Sequence, residues 1–249
     1  MLLSKGLKKQ RKRAKFGGMF EVLIQVCCPH CKGTNIKKNG RKANGKQNYR
    51  CHSCAKQFQD RYFYRGADPK IKQQMVSMTL HASGIRDISH VLELYPNSVV
   101  DSLRRHGRKI KEPDFQGHYE EVEVDEFWSF VDQRKKRKRW CWYVWARKER
   151  KILAFHIGRR NQSACQSLYA KLKNLTIGRF YTDDYKAYSK VLPADRHTIG
   201  KEHTTHIERL NRDFRTHLKR LTRRTVCHSR DDEMHYLIIK MYINHRNAA

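Results

Sequence analysis

Apolar residues recur along this chain with two periods, and each predicts a different kind of element. Between residues 69 and 110 they stand three or four apart. Ile71, Met75, Met78 and Ala82 form one stripe, Ile85, Ile88, Val91 and Leu92 a second, and Val99, Val100, Leu103 and Ile110 a third. Asp68 before Pro69 is an N-cap followed by proline at the first helical position. Ser83-Gly84 and Tyr95-Pro96 interrupt the stripes, and Asn97 or Ser98 is the expected cap of the third helix. Three helices with short turns make a helix-turn-helix layout, with the third helix as the reading one. Residues 112–117 end the helices and read as a linker. After it the period changes to two: 119–131 alternates apolar with acid-rich polar positions, 140–146 is an aromatic run, and 151–157 is a third β-prone stretch. These predict an antiparallel meander. A helix over 163–172, a strand over 178–182, a short helix over 184–189, a strand over 196–199 and helices over 205–221 and 232–242 follow. The fold class is therefore α/β, a mixed sheet layered with helices.

Residues 27–64 carry neither period strongly, and there the cysteines change the picture. Cys28-Pro29-His30-Cys31 and Cys51-His52-Ser53-Cys54 are two C-x-x-C pairs separated by nineteen residues, the spacing of a structural zinc ribbon. Cys28, Cys31, Cys51 and Cys54 are the expected ligands of one Zn²⁺, with His30 and His52 at the surface. Asn39-Gly40 and Asn44-Gly45 are hairpin-turn dipeptides, and Tyr49 and Phe58 are available to pack over the metal. So small a segment draws its folding free energy from the ion. Bound metal rather than disulfides places the eight cysteines in a reducing, cytoplasmic setting.

The chain has 249 residues with 54 Lys+Arg against 24 Asp+Glu, a net charge of +30. A polyanionic partner follows, most simply nucleic acid, with a membrane surface the weaker alternative. No apolar run approaches the ~18–20 residues of a membrane span. The basic residues 1–26 are expected to be disordered, and Met19 is an alternative start. Lys37, Lys38, Arg41 and Lys42 ride on the ribbon hairpin. Asn97, Ser98, Arg104, Arg105 and Arg108 lie on the third helix, and six consecutive cations occupy 134–139. All are candidate DNA contacts.

Of the 24 acids, 17 lie in 113–249. Asp125 sits in mid-strand, where Asp is disfavoured. Asp183-Asp184 ends a strand, and Glu208 shares its helix face with Asn211, Arg212 and Arg215. Three such carboxylates suit two Mg²⁺ or Mn²⁺ ions about 3.5–4 Å apart, the arrangement that attacks phosphodiesters. Other readings stay open: Thr205 to Glu208 fits a capping box, and Asp183 or Asp184 suits a helix cap. We assign the ligand to Asp183 and the cap to Asp184.

The motifs CPHC and CHSC, the helix-turn-helix, VEVDEFW-SFV, YTDDYKAY and THIERLNRDFRTHLKRL together resemble the DDE transposases of the insertion sequence 1 family, over roughly residues 27–246. The resemblance implies a ribonuclease-H-like core with flanking helices over 113–249, preceded by a zinc ribbon over 27–64 and a helix-turn-helix over 65–112. It implies the catalytic triad Asp125, Asp183 and Glu208, with Arg215 seven positions beyond the last. It implies binding to terminal inverted repeats, metal-dependent cleavage and 3′-hydroxyl transfer into target DNA, at least a dimer on DNA, and residence at the nucleoid. The rival readings are a DNA-binding regulator without catalysis, and a nuclease that only hydrolyses.

Overall fold

The computed structural model describes residues 25–43, 45–59, 64–132, 137–223 and 225–248. They fall in two compact units, residues 1–64 and 65–249. The basic tract 1–18, Asn44 and cations 134–136 lie outside the described residues.

In the first unit β1 (Ile36–Arg41), β2 (Gln47–Cys51) and β3 (Gln57–Gln59) form an antiparallel sheet in that order. Asn39-Gly40 is not the turn expected there. It lies inside β1, where the register shifts between Lys38 and Arg41 and Gly40 takes φ +67°, a bulge that glycine permits. The chain reverses over 42–46 instead, with Gly45 at φ +74° and its N–H 2.9 Å from the Lys42 carbonyl. Tyr49 stacks on Phe58 at 5.6 Å, and with Cys28 and Cys51 they are this unit's buried core.

The second unit opens with α1 (Pro69–Leu80), α2 (Ile85–Val91) and α3 (Pro96–Lys109). Asp68 caps α1 by accepting the Lys70 N–H at 2.8 Å, as expected. α3 begins earlier than predicted. Pro96 takes its first position, Tyr95 is the N-cap without a side-chain bond, and Asn97 and Ser98 sit inside the first turn. Proline's fixed φ suits that position and needs no donor there.

A five-stranded mixed sheet follows, built from β4 (Gly117–Val131), β5 (Arg137–Ala146), β6 (Lys151–Gly158), β7 (Leu175–Thr182) and β8 (His197–Ile199), in the order β6-β5-β4-β7-β8. β4, β5 and β6 pair antiparallel, while β7 runs parallel to β4 and β8 parallel to β7. Alternate residues on a strand face opposite sides, and here both sides are covered. Val122, Val124, Trp142 and Val144 pack with α4 (Gln162–Ala170) and α5 (Lys186–Val191). Phe127, Tyr143, Trp145 and Phe155 pack with α6 (Thr205–His217) and α7 (Asp232–Ala248). The second core also takes Met75, Ile88, Val99 and Leu103 from α1–α3, so residues 65–112 and 113–249 share one compact unit. α3 lies close on α7: a Cβ at Gly107 would stand 3.0 Å from the Leu237 Cβ. Among the described residues no helix is long and apolar enough to cross a membrane.

Candidate functional site

The last β4–β7 pair is Glu123 with Tyr181, whereas β4 and β5 remain paired as far as Val131 with Arg137. β4 therefore outruns β7, and beyond Glu123 its edge is free of β7, with Val131 bridged to Ser229 at the far end. Crevices beyond the carboxyl ends of strands are common ligand sites in α/β sheets. Asp125 lies on that stretch, and Asp183 is the first residue after β7.

Asp125 Oδ1 accepts the Glu126 N–H at 2.7 Å, and Oδ2 accepts the Asn211 side-chain amide at 2.6 Å. The Asn211 carbonyl in turn accepts the Tyr143 hydroxyl at 2.8 Å. Sheet and α6 are thus joined at this carboxylate. Burial, then the neighbouring Glu126 charge and more weakly Asp183, push Asp125 from 3.8 to about 7, against the two hydrogen bonds. Glu126 is also raised, chiefly by burial, although it accepts Arg160 Nε at 2.7 Å and the Tyr188 hydroxyl. Two acids in mid-β4 and one just past the end of β7 therefore repel one another in a poorly solvated place, which is the electrostatic setting a bound cation relieves.

Asp183, not Asp184, makes the capping bond of the following turn: its Oδ1 accepts the Tyr185 N–H at 3.1 Å, while Asp184 is exposed. The cap assigned to Asp184 is thus corrected. The reason is local, since an Asx turn reaches two residues ahead.

Glu208 is exposed on the first turns of α6 and lines a cleft of about 710 Å³ with Glu126, Trp128, Asn211, Arg212 and Arg215. The capping box that would explain Glu208 is not formed. Thr205 is already helical and Thr204, the N-cap, makes no side-chain bond to the helix. The acceptor for the first turn comes instead from β4: fully buried Glu123 accepts the Ile207 N–H at 2.8 Å. Glu123 also meets Arg147 Nε at 2.7 Å and His206 Nδ1 at 2.9 Å. It fixes the start of α6 against β4, two residues before Asp125, and so sets where Glu208 and Asn211 stand. Among the described residues, the only set of three or more potential ligand atoms lying within 4.8 Å of one another is the four cysteines. Asp125, Asp183 and Glu208 do not converge that tightly.

Those cysteines could hold a metal. Cys28 and Cys54 Sγ are 3.7 Å apart, Cys31 and Cys51 Sγ 3.5 Å. A tetrahedral ion with ~2.3 Å metal–sulfur bonds spaces its sulfurs about 3.8 Å apart. Burial opposes ionisation of Cys51, but the backbone N–H groups of Cys54 and Ser53 and the thiols of Cys31 and Cys54 outweigh it and bring it to about 6. Cys27, His30 and His52 are exposed and outside the cluster.

Comparison with known proteins gives this arrangement its context. The family described as IS1 transposase matches residues 121–248, which span every carboxylate just described. The chain belongs to the IS1 transposase family. Its relatives include the insertion element iso-IS1n protein InsB of Shigella dysenteriae, 41% identical over 121 residues, which are 49% of this chain and 92% of that protein. The insertion element IS1 protein InsB of Shigella flexneri is 34% identical over 49% of this chain and 93% of its own length. The insertion element IS1 4 protein InsB of Escherichia coli K12 is 33% identical over 49% and 73%.

The remaining candidates in this IS1-family chain divide by their partners. Arg104 is held by Asp231 at 3.1 Å and Glu233 at 3.2 Å, and Arg108 by Glu233 at 2.7 Å, so both tie α3 to the region of α7. Asn97 and Arg105 are exposed, and Ser98 is half-buried. Lys37, Lys38, Arg41 and Lys42 are exposed on the ribbon, and Arg212 on α6. Arg215 donates to the carbonyls of Leu221 at 3.1 Å and Trp128 at 3.3 Å. Burial and then Arg223 lower its pKa. Three residues that organise the site, Glu123, Glu126 and Tyr143, were given no role in it from the sequence, and Asn211 was noted only as sharing the face of Glu208. Alternation puts Glu123 on the face of Asp125, and helical spacing puts Asn211 one turn beyond Glu208. Nothing local reports that Glu123 caps a helix 84 residues on.

Proposed function

We propose that this protein is a DDE transposase whose second unit contains a ribonuclease-H-like core, with Asp125, Asp183 and Glu208 as the ligands of two Mg²⁺ or Mn²⁺ ions. The observation that carries the reading is the Asp125–Asn211 bond. It joins the mid-strand acid, charged against Asp183, to the helix that presents Glu208. The donors are all oxygens, as hard divalent cations require, and the raised Asp125 marks negative charge with too little compensation. When bound, such ions lower the pKa of a water or hydroxyl and neutralise the leaving oxygen. The chain's own part is positional. Glu123 sets the start of α6, Asn211 orients Asp125, and Asp183 is steadied by the turn before α5. Arg212 and Arg215 supply positive charge for the phosphates beside the reacting one. Water attack would nick the element's ends, and attack by the freed 3′-hydroxyl would join them to target DNA. Both are phosphoryl transfers without a covalent protein intermediate. Zn²⁺ is the proposed ion of Cys28, Cys31, Cys51 and Cys54. Duplex DNA is the partner, the terminal repeats and the target alike, with at least two copies pairing the ends at the nucleoid.

The test is nicking and joining of end-bearing duplex in Mg²⁺. Asp125→Asn, Asp183→Asn and Glu208→Gln should bind the duplex as the parent does and nick none of it. Nicking by any of the three removes that residue from the site. A parent that binds and never nicks would favour a DNA-binding regulator, and one that nicks without joining would be a nuclease.

A further inference from the structure

A second cleft, of about 640 Å³, adjoins the first and shares Trp128, Arg215 and Arg223 with it. Its chemistry is different. The first contains Glu126 and Glu208, while the described residues of the second include no carboxylate and add Phe130 and Arg220. Trp128 is half-exposed on the free edge of β4, with Phe130 5.1 Å away at 70° and the Lys138 ammonium 4.9 Å from its ring centroid.

Three arginines gather here, Arg215 and Arg220 half-buried and Arg223 exposed. Elsewhere in the unit the half-buried Arg104, Arg139 and Arg147 each have a carboxylate within 3.1 Å. Among the described residues, Arg215, Arg220 and Arg223 have none within ion-pair distance. Arg215 meets two backbone carbonyls, and Arg220 donates to the Ser229 hydroxyl at 2.9 Å. Three guanidinium groups thus stand around a half-buried indole without a contact ion pair among the described residues, Asp231 acting on Arg220 only from farther off. Phosphates alone would need the cations but not the rings. An acidic peptide would need the cations and a backbone partner. A nucleotide needs both, because every base has a face to stack and every nucleotide carries a charge. The volume falls in the range of ~300–1,000 Å³ typical of small-ligand pockets, which is ample for one.

We propose that this second cleft receives a single unpaired nucleotide of the DNA end, next to the bond being cut. Its base stacks on Trp128 beside Phe130, and its phosphate lies among Arg215, Arg220 and Arg223. The inference rests on the cleavage reading of the first cleft. It adds that the end is locally unpaired when bound, so that one strand runs from the carboxylates into the aromatic cleft.

The experiment uses the full chain and duplexes carrying the element's end, with 5-iododeoxyuridine placed at one position at a time. In the parent, irradiation should cross-link one position near the cut to the peptide containing Trp128. Trp128→Ala should bind the intact duplex about 5- to 150-fold more weakly, the range supplied by stacking one base. Trp128→Tyr, which keeps a ring, should retain most of the affinity. An abasic nucleotide at the cross-linking position should erase the difference between Trp128→Ala and the parent. Equal binding by Trp128→Ala and the parent, no position-selective cross-link, or a Trp128→Ala deficit unchanged by the abasic nucleotide each overturns the proposal. Cutting is scored separately. A parent that cuts without these signatures refutes only the pocket, and a parent that never cuts refutes the cleavage reading.

Discussion

At the scale of single residues, the acids of this chain are separated by environment rather than by type. Asp125, Glu126 and Glu123 lie within four positions on one strand, yet each has a different task. Glu123 is neutralised by Arg147 and a helix N-terminus, and Glu126 by Arg160. Asp125 has only neutral donors. The consequence for pH follows from its rise from 3.8 to about 7. A carboxyl whose folded pKa lies above its unfolded one favours the folded state while protonated. That advantage fades as pH climbs from ~4 and is gone above ~7. In chelator, Asp125→Asn should therefore melt higher than the parent at pH 8, by an increment of about 4 kcal/mol at most. The gain should shrink steadily toward pH 4. Thermal melts across that range check it, and a variant gain that is flat or grows with acidity would contradict the assigned environment of Asp125.

Among the elements, α3 and α6 show how far a helix's partners decide its use. The stripe of α3 is buried as its sequence predicts, with Val99 and Leu103 in the core. Its basic residues share one helix and not one role. Arg104 and Arg108 are occupied by Asp231 and Glu233, whereas Arg105 is exposed. Arg104→Ala should loosen α3 and lower stability by about 1–3 kcal/mol, since a charged hydrogen-bonded group loses its partners. Arg105→Ala should leave stability within ~0.5 kcal/mol and weaken DNA binding, by ~1–3 kcal/mol and at one base position if it reads a base. Denaturant titration and binding to specific and random duplex separate the two. Swapped effects would mean that α3 meets DNA through the other face. In α6 the sequence offers two explanations of Glu208, a cap or a ligand. The structure removes the first, because Thr205 already lies inside the helix and the Glu208 N–H donates to the Thr204 carbonyl at 3.1 Å.

On the scale of the whole molecule, the two compact units are stabilised differently. Residues 65–249 carry two extensive apolar clusters on the two faces of the sheet, while among the described residues the apolar core of the first unit is four residues, two of them cysteines. So small a core cannot hold a chain segment of this size, and metal–thiolate bonds are the available source of stability. Cys51→Ser should therefore lose stoichiometric zinc and make residues 25–59 sensitive to protease, with the second unit's melt unchanged. Metal analysis beside limited proteolysis tests this. Zinc retained at full stoichiometry by Cys51→Ser would exclude it as a ligand.

What the sequence determined by itself is everything written in short-range periodicity or fixed spacing. The two C-x-x-C pairs announce the thiol cluster, the Asp68 cap marks the start of α1, and the apolar stripes mark α1, α2 and α6. The alternation from 119 onward marks the meander, and Asp125 stands out because its mid-strand position opposes its propensity. These signals are local, since backbone geometry and ligand reach act over a few residues. Tertiary structure alone decided the rest. β7 stops at Thr182 while β4 continues, which leaves the free edge at the carboxylates. Glu123 reaches Ile207, Tyr143 reaches Asn211, and α7 claims Arg104. Each joins residues more than sixty positions apart. No local pattern encodes such a pairing, because it is set by how the helices pack on the sheet and which buried charge finds which donor.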